Sequence, residues 1–161
     1  MKKVKYIISV ITLMSLVLSQ TLCVWGADKE WYNLTEIEIE DQEMTLEEKS
    51  GELEITPYTR YIMGASVSVR RPSDGVIWMR SEVYCNETMS KITTVFTLQK
   101  KVGSSWVNVG KGTVSVSNDN SMYKSMEATG VSSGTYRCIA DTQVVSKTGY
   151  TESVSVTSGQ I

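Results

Sequence analysis

Ser132-Ser133-Gly134-Thr135-Tyr136-Arg137-Cys138 is the stretch on which the fold turns. Turn-forming residues give way there to a β-favouring run that continues to Gln143, and side chains two apart on a strand share a face. Tyr136, Cys138 and Ala140 therefore read as one inward row, with Arg137 and Ile139 on the other face. Outward from this strand the chain breaks into short β-rich runs separated by turn residues, with no helical periodicity. Strands are predicted from Tyr61 to Arg70, Val76 to Asn86, Lys91 to Lys101, Ser105 to Val109, Thr113 to Ser117, Ser121 to Ala128, Gly134 to Gln143 and Tyr150 to Thr157. Turns are predicted at Arg71 to Gly75, Val102 to Ser104, Gly110 to Gly112 and Asn118 to Asn120. The pattern is that of an all-β, antiparallel β-sandwich of seven or eight strands.

Composition limits what such a chain does. With 161 residues, 41% of them hydrophobic, there is material for one domain and a targeting segment. Histidine is absent, which removes the residue most used for acid–base work near neutral pH and the commonest zinc ligand. A formal net charge of -2 gives no overall attraction to nucleic acid or to an anionic membrane. Lys2, Lys3 and Lys5 followed by the apolar run Tyr6 to Leu18 read as a signal peptide, residues 1–26, cut after Gly26 with Val24 three residues back; a cut after Ala27 would put bulky Trp25 there. The run is too short for a comfortable span, so no stable membrane insertion is expected after cleavage. Gln20, Thr21 and Leu22 before Cys23 do not make a lipobox.

Residues 27–56 read as an acidic leader. From Asp28 to Glu54 there are 11 acids against Lys29 and Lys49, a net -9, whereas the chain from Ile55 onward carries +4. Alternation in Leu34, Glu36, Ile37, Glu38, Ile39 and Glu40 hints at a strand, but like-charge repulsion favours a solvated, disordered segment, with docking on the basic domain as the alternative. The sandwich is accordingly placed at residues 57–161. After signal removal Cys85 and Cys138 remain, an even count in an exported chain, and are expected to bond. Closing a loop of that length is worth roughly 4 kcal/mol; two buried thiols are the alternative in a reducing habitat. Joining two packed sheets requires both cysteines to point inward, which puts Ile77, Met79, Val83 and Cys85 in the core with Ile92, Phe96, Leu98, Val154 and Val156, Ser81 and Thr94 interrupting slightly.

The tyrosine two residues before the second cysteine resembles the tyrosine corner of the immunoglobulin superfamily, which implies a Tyr136 hydroxyl bonded to upstream backbone and a disulfide from Cys138 to a cysteine on the second strand of the sandwich. Trp106 departs from that pattern, lying beyond the third strand, where Phe96 takes the core position. Lys91-Ile92-Thr93, Thr97-Leu98-Gln99-Lys100-Lys101, Ser104-Ser105-Trp106 and Ser133-Gly134-Thr135-Tyr136-Arg137 together resemble an uncharacterised family of small secreted proteins of Gram-positive bacteria. That resemblance implies an exported immunoglobulin-like module and carries over no catalytic residue.

No catalytic, cofactor-binding or metal residue is assigned. Without histidine no Ser-His-Asp or Cys-His arrangement forms; a Ser-Lys dyad is formally open but no pair stands out. Gly110-Lys111-Gly112-Thr113 lacks phosphate-loop spacing, and Asn118-Asp119-Asn120 reads as a turn before a calcium site. The sequons at Asn33 and Asn86 matter only in a eukaryotic secretory route. Alternation from Cys85 sends Trp78, Arg80, Glu82 and Tyr84 outward, and Trp78, Arg80 and Tyr84 are the candidate binding face, suited to a protein or cell-surface glycan; a β-bulge that turns Trp78 into the core is the alternative. The expected role is non-catalytic, a binding or structural module secreted to the medium or loosely held at the cell wall. A small secreted effector or inhibitor acting on a host or competitor protein is the alternative.

Overall fold

A computed structural model describes residues 30–39, 49–53 and 60–161; the predicted signal peptide lies outside them. Seven strands and no helix make up their regular structure: β1 Tyr32–Ile37, β2 Lys49–Leu53, β3 Ile62–Ser73, β4 Val76–Val102, β5 Ser105–Thr129, β6 Tyr136–Val145 and β7 Thr151–Thr157. The sheet runs in the order β1-β5-β4-β3-β2, with β6 also paired to β4 and β7 paired to β6.

Two strands are far longer than the sequence suggests. β4 spans 27 residues and β5 spans 25, joined at Gly103, whose φ of +61° suits glycine in a tight turn. They form one hairpin in two stretches, Val76 to Tyr84 against Ser121 to Thr129 and Lys91 to Val102 against Ser105 to Ser117. Between the stretches Cys85 to Thr88 face only Asn120, a bulge that breaks the register and re-aims the ladder. β3 pairs with the first stretch of β4 and β6 with the second. Asn118-Asp119-Asn120, expected as a turn, is thus strand beside this bulge: Asp119 pairs with Met89, Asn118 takes φ +56°, and the Asp119 carboxylate accepts the N–H groups of Asn120 and Ser121 at 2.8 and 3.2 Å.

Gly110-Lys111-Gly112 is likewise strand and not loop, paired with Leu98, Thr97 and Phe96. The glycines make room. A Cβ on Gly112 would lie 2.5 Å from Met126 Cε and 2.9 Å from Leu34 Cβ, and one on Gly110 3.0 Å from the Tyr32 carbonyl oxygen. What fills that room is β1, from the acidic stretch expected to be solvated. Tyr32 and Asn33 run parallel to Gly110 and Lys111, and from Leu34 to Ile37 the partners descend from Ala128 to Ser125 in the antiparallel sense, so β1 bridges both stretches of β5. Its apolar side chains pack inward, with Tyr32 and Leu34 against the core, while Glu36 stays at the surface and pairs with Lys124 at 2.6 Å. The ion pair to Lys124 and the packing of Tyr32 and Leu34 offset the repulsion that a charge count over the whole stretch predicts. β2, from the same stretch, pairs with β3. The compact unit that includes these strands spans Trp31–Ile161.

The core is shared by Ile62, Val67, Val69, Ile77, Met79, Val83, Ile92, Phe96, Leu98, Met122, Tyr136, Cys138, Ala140 and Val144. Thr94 is accommodated there by a 2.6 Å hydrogen bond to Thr142, while the Ser81 hydroxyl is buried without a protein partner.

Candidate functional site

The face of β4 turned away from this core carries the residues singled out in the sequence, and the strand treats each differently. Pairing of Val76 to Tyr84 with β5 is unbroken, and the register shift toward β3 near Trp78 puts its extra residue on β3, so no bulge in β4 turns Trp78 inward. Trp78 is half-buried on the outward face, and its indole N–H donates to Glu127 at 2.9 Å. Arg80 is buried: its guanidinium donates to the Ile39 carbonyl at 2.8 Å and to Ser125 at 3.3 Å, with its centre 4.4 Å from the ring centroid of Tyr123. Tyr84 is 52% exposed, and its hydroxyl donates to Glu82 at 3.4 Å. The register sets Glu82 opposite Tyr123 and Tyr84 opposite Ser121, making Tyr84 and Tyr123 diagonal neighbours. Tyr123 is 43% exposed and was missed by sequence reasoning, although buried Met122 beside it carries the period-two signal. The open part of this face is thus Tyr84 and Tyr123 with Glu82, and Arg80 lies beneath as a support.

At the start of β6 the ring of Tyr136 is fully buried and its hydroxyl donates to the Ser132 carbonyl, four residues upstream, at 3.1 Å. Ser132 Oγ lies 3.1 Å from the same hydroxyl and accepts from Lys100 Nζ at 2.6 Å; the Ser132 amide donates to the Tyr32 hydroxyl at 3.1 Å. Burial raises the Tyr136 hydroxyl above the ordinary tyrosine value. Lys100 and Ser132 are the serine–lysine pair that the sequence does not single out. Both backbone polar groups of Ser132 are engaged by tyrosines, so the cluster ties β1 to the β6 corner.

Cys85 and Cys138 are both buried, but as separate free thiols and not as the expected disulfide. The register explains why. Cys85 is followed by Asn86, whose amide bonds the Tyr61 carbonyl; the Tyr61 amide bonds Glu152, and Glu152 is paired with Val144. Cys138 is six residues from Val144 along β6, about 20 Å at strand rise, while a disulfide needs Cα atoms within about 7 Å. Parity turns both cysteines inward, at opposite ends of β6. Burial, with Glu152 adding to it, pushes the Cys85 thiol up to about 11, and burial raises Cys138 further.

A second polar cluster is built from β4, β5 and β6, where Arg137 sits 4.3 Å from the Trp106 ring centroid and donates to Gln99 at 2.8 Å, and Gln99 donates to Asn108 at 2.7 Å. Further along β4 and β6, Thr93, Val95, Asp141, Gln143, Ser153 and Ser155 line an open groove of about 490 Å³. Among the described residues no group of three or more cysteine or carboxylate side chains is placed to hold a metal, and no helix is long and apolar enough to cross a membrane. No family model, curated protein or solved structure matches this chain.

Proposed function

We propose that the chain is an exported, non-catalytic module whose strands form an immunoglobulin-like sandwich and which works by presenting a strand face to a partner at the cell envelope or in the medium. The strand order supports the sandwich: β3, the first stretch of β4 and the second stretch of β5 would form one layer, and the first stretch of β5, the second stretch of β4, β6 and β7 the other. The observation that carries the binding role is the pair Tyr84 and Tyr123, two half-exposed aromatic side chains on adjacent strands beside Glu82. Tyrosines on a rigid strand bring apolar area and a polar tip at low entropic cost, which suits a protein or glycan surface. Export rests on the signal-like first 26 residues and the family resemblance.

Two experiments test this. Fractionating producing cells into medium, wall and membrane locates the protein, and retention on wall material favours an envelope module over a free effector. Replacing both tyrosines with alanine should abolish that retention while leaving the melting transition in place. Unchanged retention by the double variant would remove the tyrosine face from the function.

A further inference from the structure

Arg137 is held from two sides and open on the third. Its Nε–H donates to Gln99 at 2.8 Å, and its guanidinium carbon sits 4.3 Å from the Trp106 ring centroid. Gln99 is itself fixed by its 2.7 Å hydrogen bond to Asn108, so a chain of contacts across β6, β4 and β5 orients the guanidinium. Among the described residues no group accepts from its two terminal NH2 groups, and no carboxylate lies within ion-pair distance. Lys101 Nζ lies 5.9 Å from the same indole ring, again with no carboxylate partner among the described residues. A planar guanidinium held in place with its fork free matches a carboxylate or phosphate group bidentately, and a second cation beside it adds to the attraction.

The surrounding face has the same sign. Residues directly opposed on paired strands share a face, so Lys91, Lys101 and Lys111 stand on the side of Arg137 that is turned away from the core. Asp141 is the one acid at the paired positions of that face on β4, β5, β6 and β7. On a chain of net charge -2 this concentrates positive potential in one place. Along the same face the open groove offers the neutral groups of Thr93, Gln143, Ser153 and Ser155, and Asp141 accepts from Ser155 at 2.6 Å. Asp141 stands four residues from Arg137 on β6, about 13 Å at strand rise.

We propose that this face binds an acidic sugar chain, one that carries carboxylate or phosphate groups. An anionic group seats on the Arg137 fork beside Lys101, and hydroxyl-bearing sugar extends along the groove, where Asp141 accepts from its hydroxyls. The two ends are too far apart for a single sugar to reach both. Asp141 also disfavours a nucleic acid, whose closely spaced phosphates a carboxylate in the groove repels. The site is separate from Tyr84 and Tyr123, which lie on the other stretch of the hairpin.

The test is calorimetric titration of the chain with a galacturonic acid trimer, its methyl ester, a phosphate-bearing maltotriose and a single-stranded oligodeoxynucleotide. At least one acidic trimer should bind, and the galacturonate should bind at least about tenfold tighter than its uncharged ester, as losing a charge-assisted contact implies. Comparing the two acidic trimers identifies which anion the fork prefers. Binding by neither, equal binding of acid and ester, or tighter binding of the oligonucleotide would overturn the proposal. Arg137→Gln should weaken the acidic trimer at least about tenfold, and Arg137→Lys, which keeps the charge but not the fork, should recover only part of the loss. Full recovery by lysine would refute recognition by the fork. Each variant is compared at an unchanged melting transition, and Lys101→Gln, at an exposed side chain, tests the same site should the Arg137 variants fail to fold. Alanine at both Tyr84 and Tyr123 should leave this binding intact, so failure of one face is distinguishable from failure of the other.

Discussion

Replacing Tyr136 with phenylalanine separates ring from hydroxyl at the corner that joins β1 to β6. The hydroxyl donates to the Ser132 carbonyl and touches Ser132 Oγ, each at 3.1 Å, and approaches the Tyr32 hydroxyl at 3.5 Å. Phenylalanine keeps the buried ring and orphans one acceptor, not three: Ser132 Oγ retains Lys100 and the Tyr32 hydroxyl retains the Ser132 amide. A stranded, part-buried carbonyl costs about 1 to 3 kcal/mol, and the surviving network puts this one near the lower end, about 1 kcal/mol. Tyr136→Ala adds a cavity where the ring was and should cost about 3 to 5 kcal/mol. Tyr32→Phe orphans the Ser132 amide and should cost about 1 kcal/mol. Because both hydroxyls converge on Ser132, the double phenylalanine variant should depart from additivity by about 0.5 kcal/mol or more. Urea titrations followed by tryptophan fluorescence measure all four. A silent Tyr136→Phe with an additive double variant would refute a shared network, and a neutral Tyr136→Ala would refute burial of the ring.

Gly112→Ala should destabilise by about 1 to 3 kcal/mol through overpacking, and combination with Met126→Ala should cost less than the sum, since Met126 Cε is 2.5 Å from the new methyl; additive losses in denaturant would show that the space is slack. Cys85 and Cys138 should both alkylate in denaturant without reductant and resist alkylation when folded, and a mass-spectrometric peptide bridged between them would contradict the register. Melting temperature should be insensitive to thiol and tyrosine ionisation below about pH 8.5 and fall above it. The sign follows from raised folded values, about 11 for Cys85 and higher than ordinary for Cys138 and Tyr136, because the folded chain keeps protons that the unfolded chain gives up; a flat profile to pH 11 would contradict it.

Period two alone places Tyr136, Cys138 and Ala140 on the buried side of β6 and Ile92, Phe96 and Leu98 on that of β4, because alternation is a local property of extended backbone. Position along the sheet is not local. Parity turns Cys85 inward without saying at which end, and the β4 bulge places it beside Tyr61 and Glu152, away from Cys138. Glycine is ambiguous in a similar way: Gly110 and Gly112 mark close approach by Leu34 and Tyr32, yet from sequence they read as a turn, since the approaching strand lies 76 or more residues away. The acidic stretch misleads because summed charge ignores direction. Glu36 is paired with Lys124 at the surface, while Leu34, two residues earlier on the same strand, packs against the core. On the candidate face, Trp78, Arg80 and Tyr84 share a side as alternation requires, but their partners, Glu127, Ser125 and Tyr123 across the strand and the Ile39 carbonyl over Arg80, decide which of them meets solvent.

Amide hydrogen exchange along Leu34 to Ile37, read by mass spectrometry on the intact chain, tests most directly that the acidic stretch is an integral strand of this unit. These amides belong to a strand paired with Ala128 to Ser125 of β5 and should exchange far more slowly than the same sequence as a free peptide. Complete exchange at the earliest time point, with β5 still protected, would contradict it.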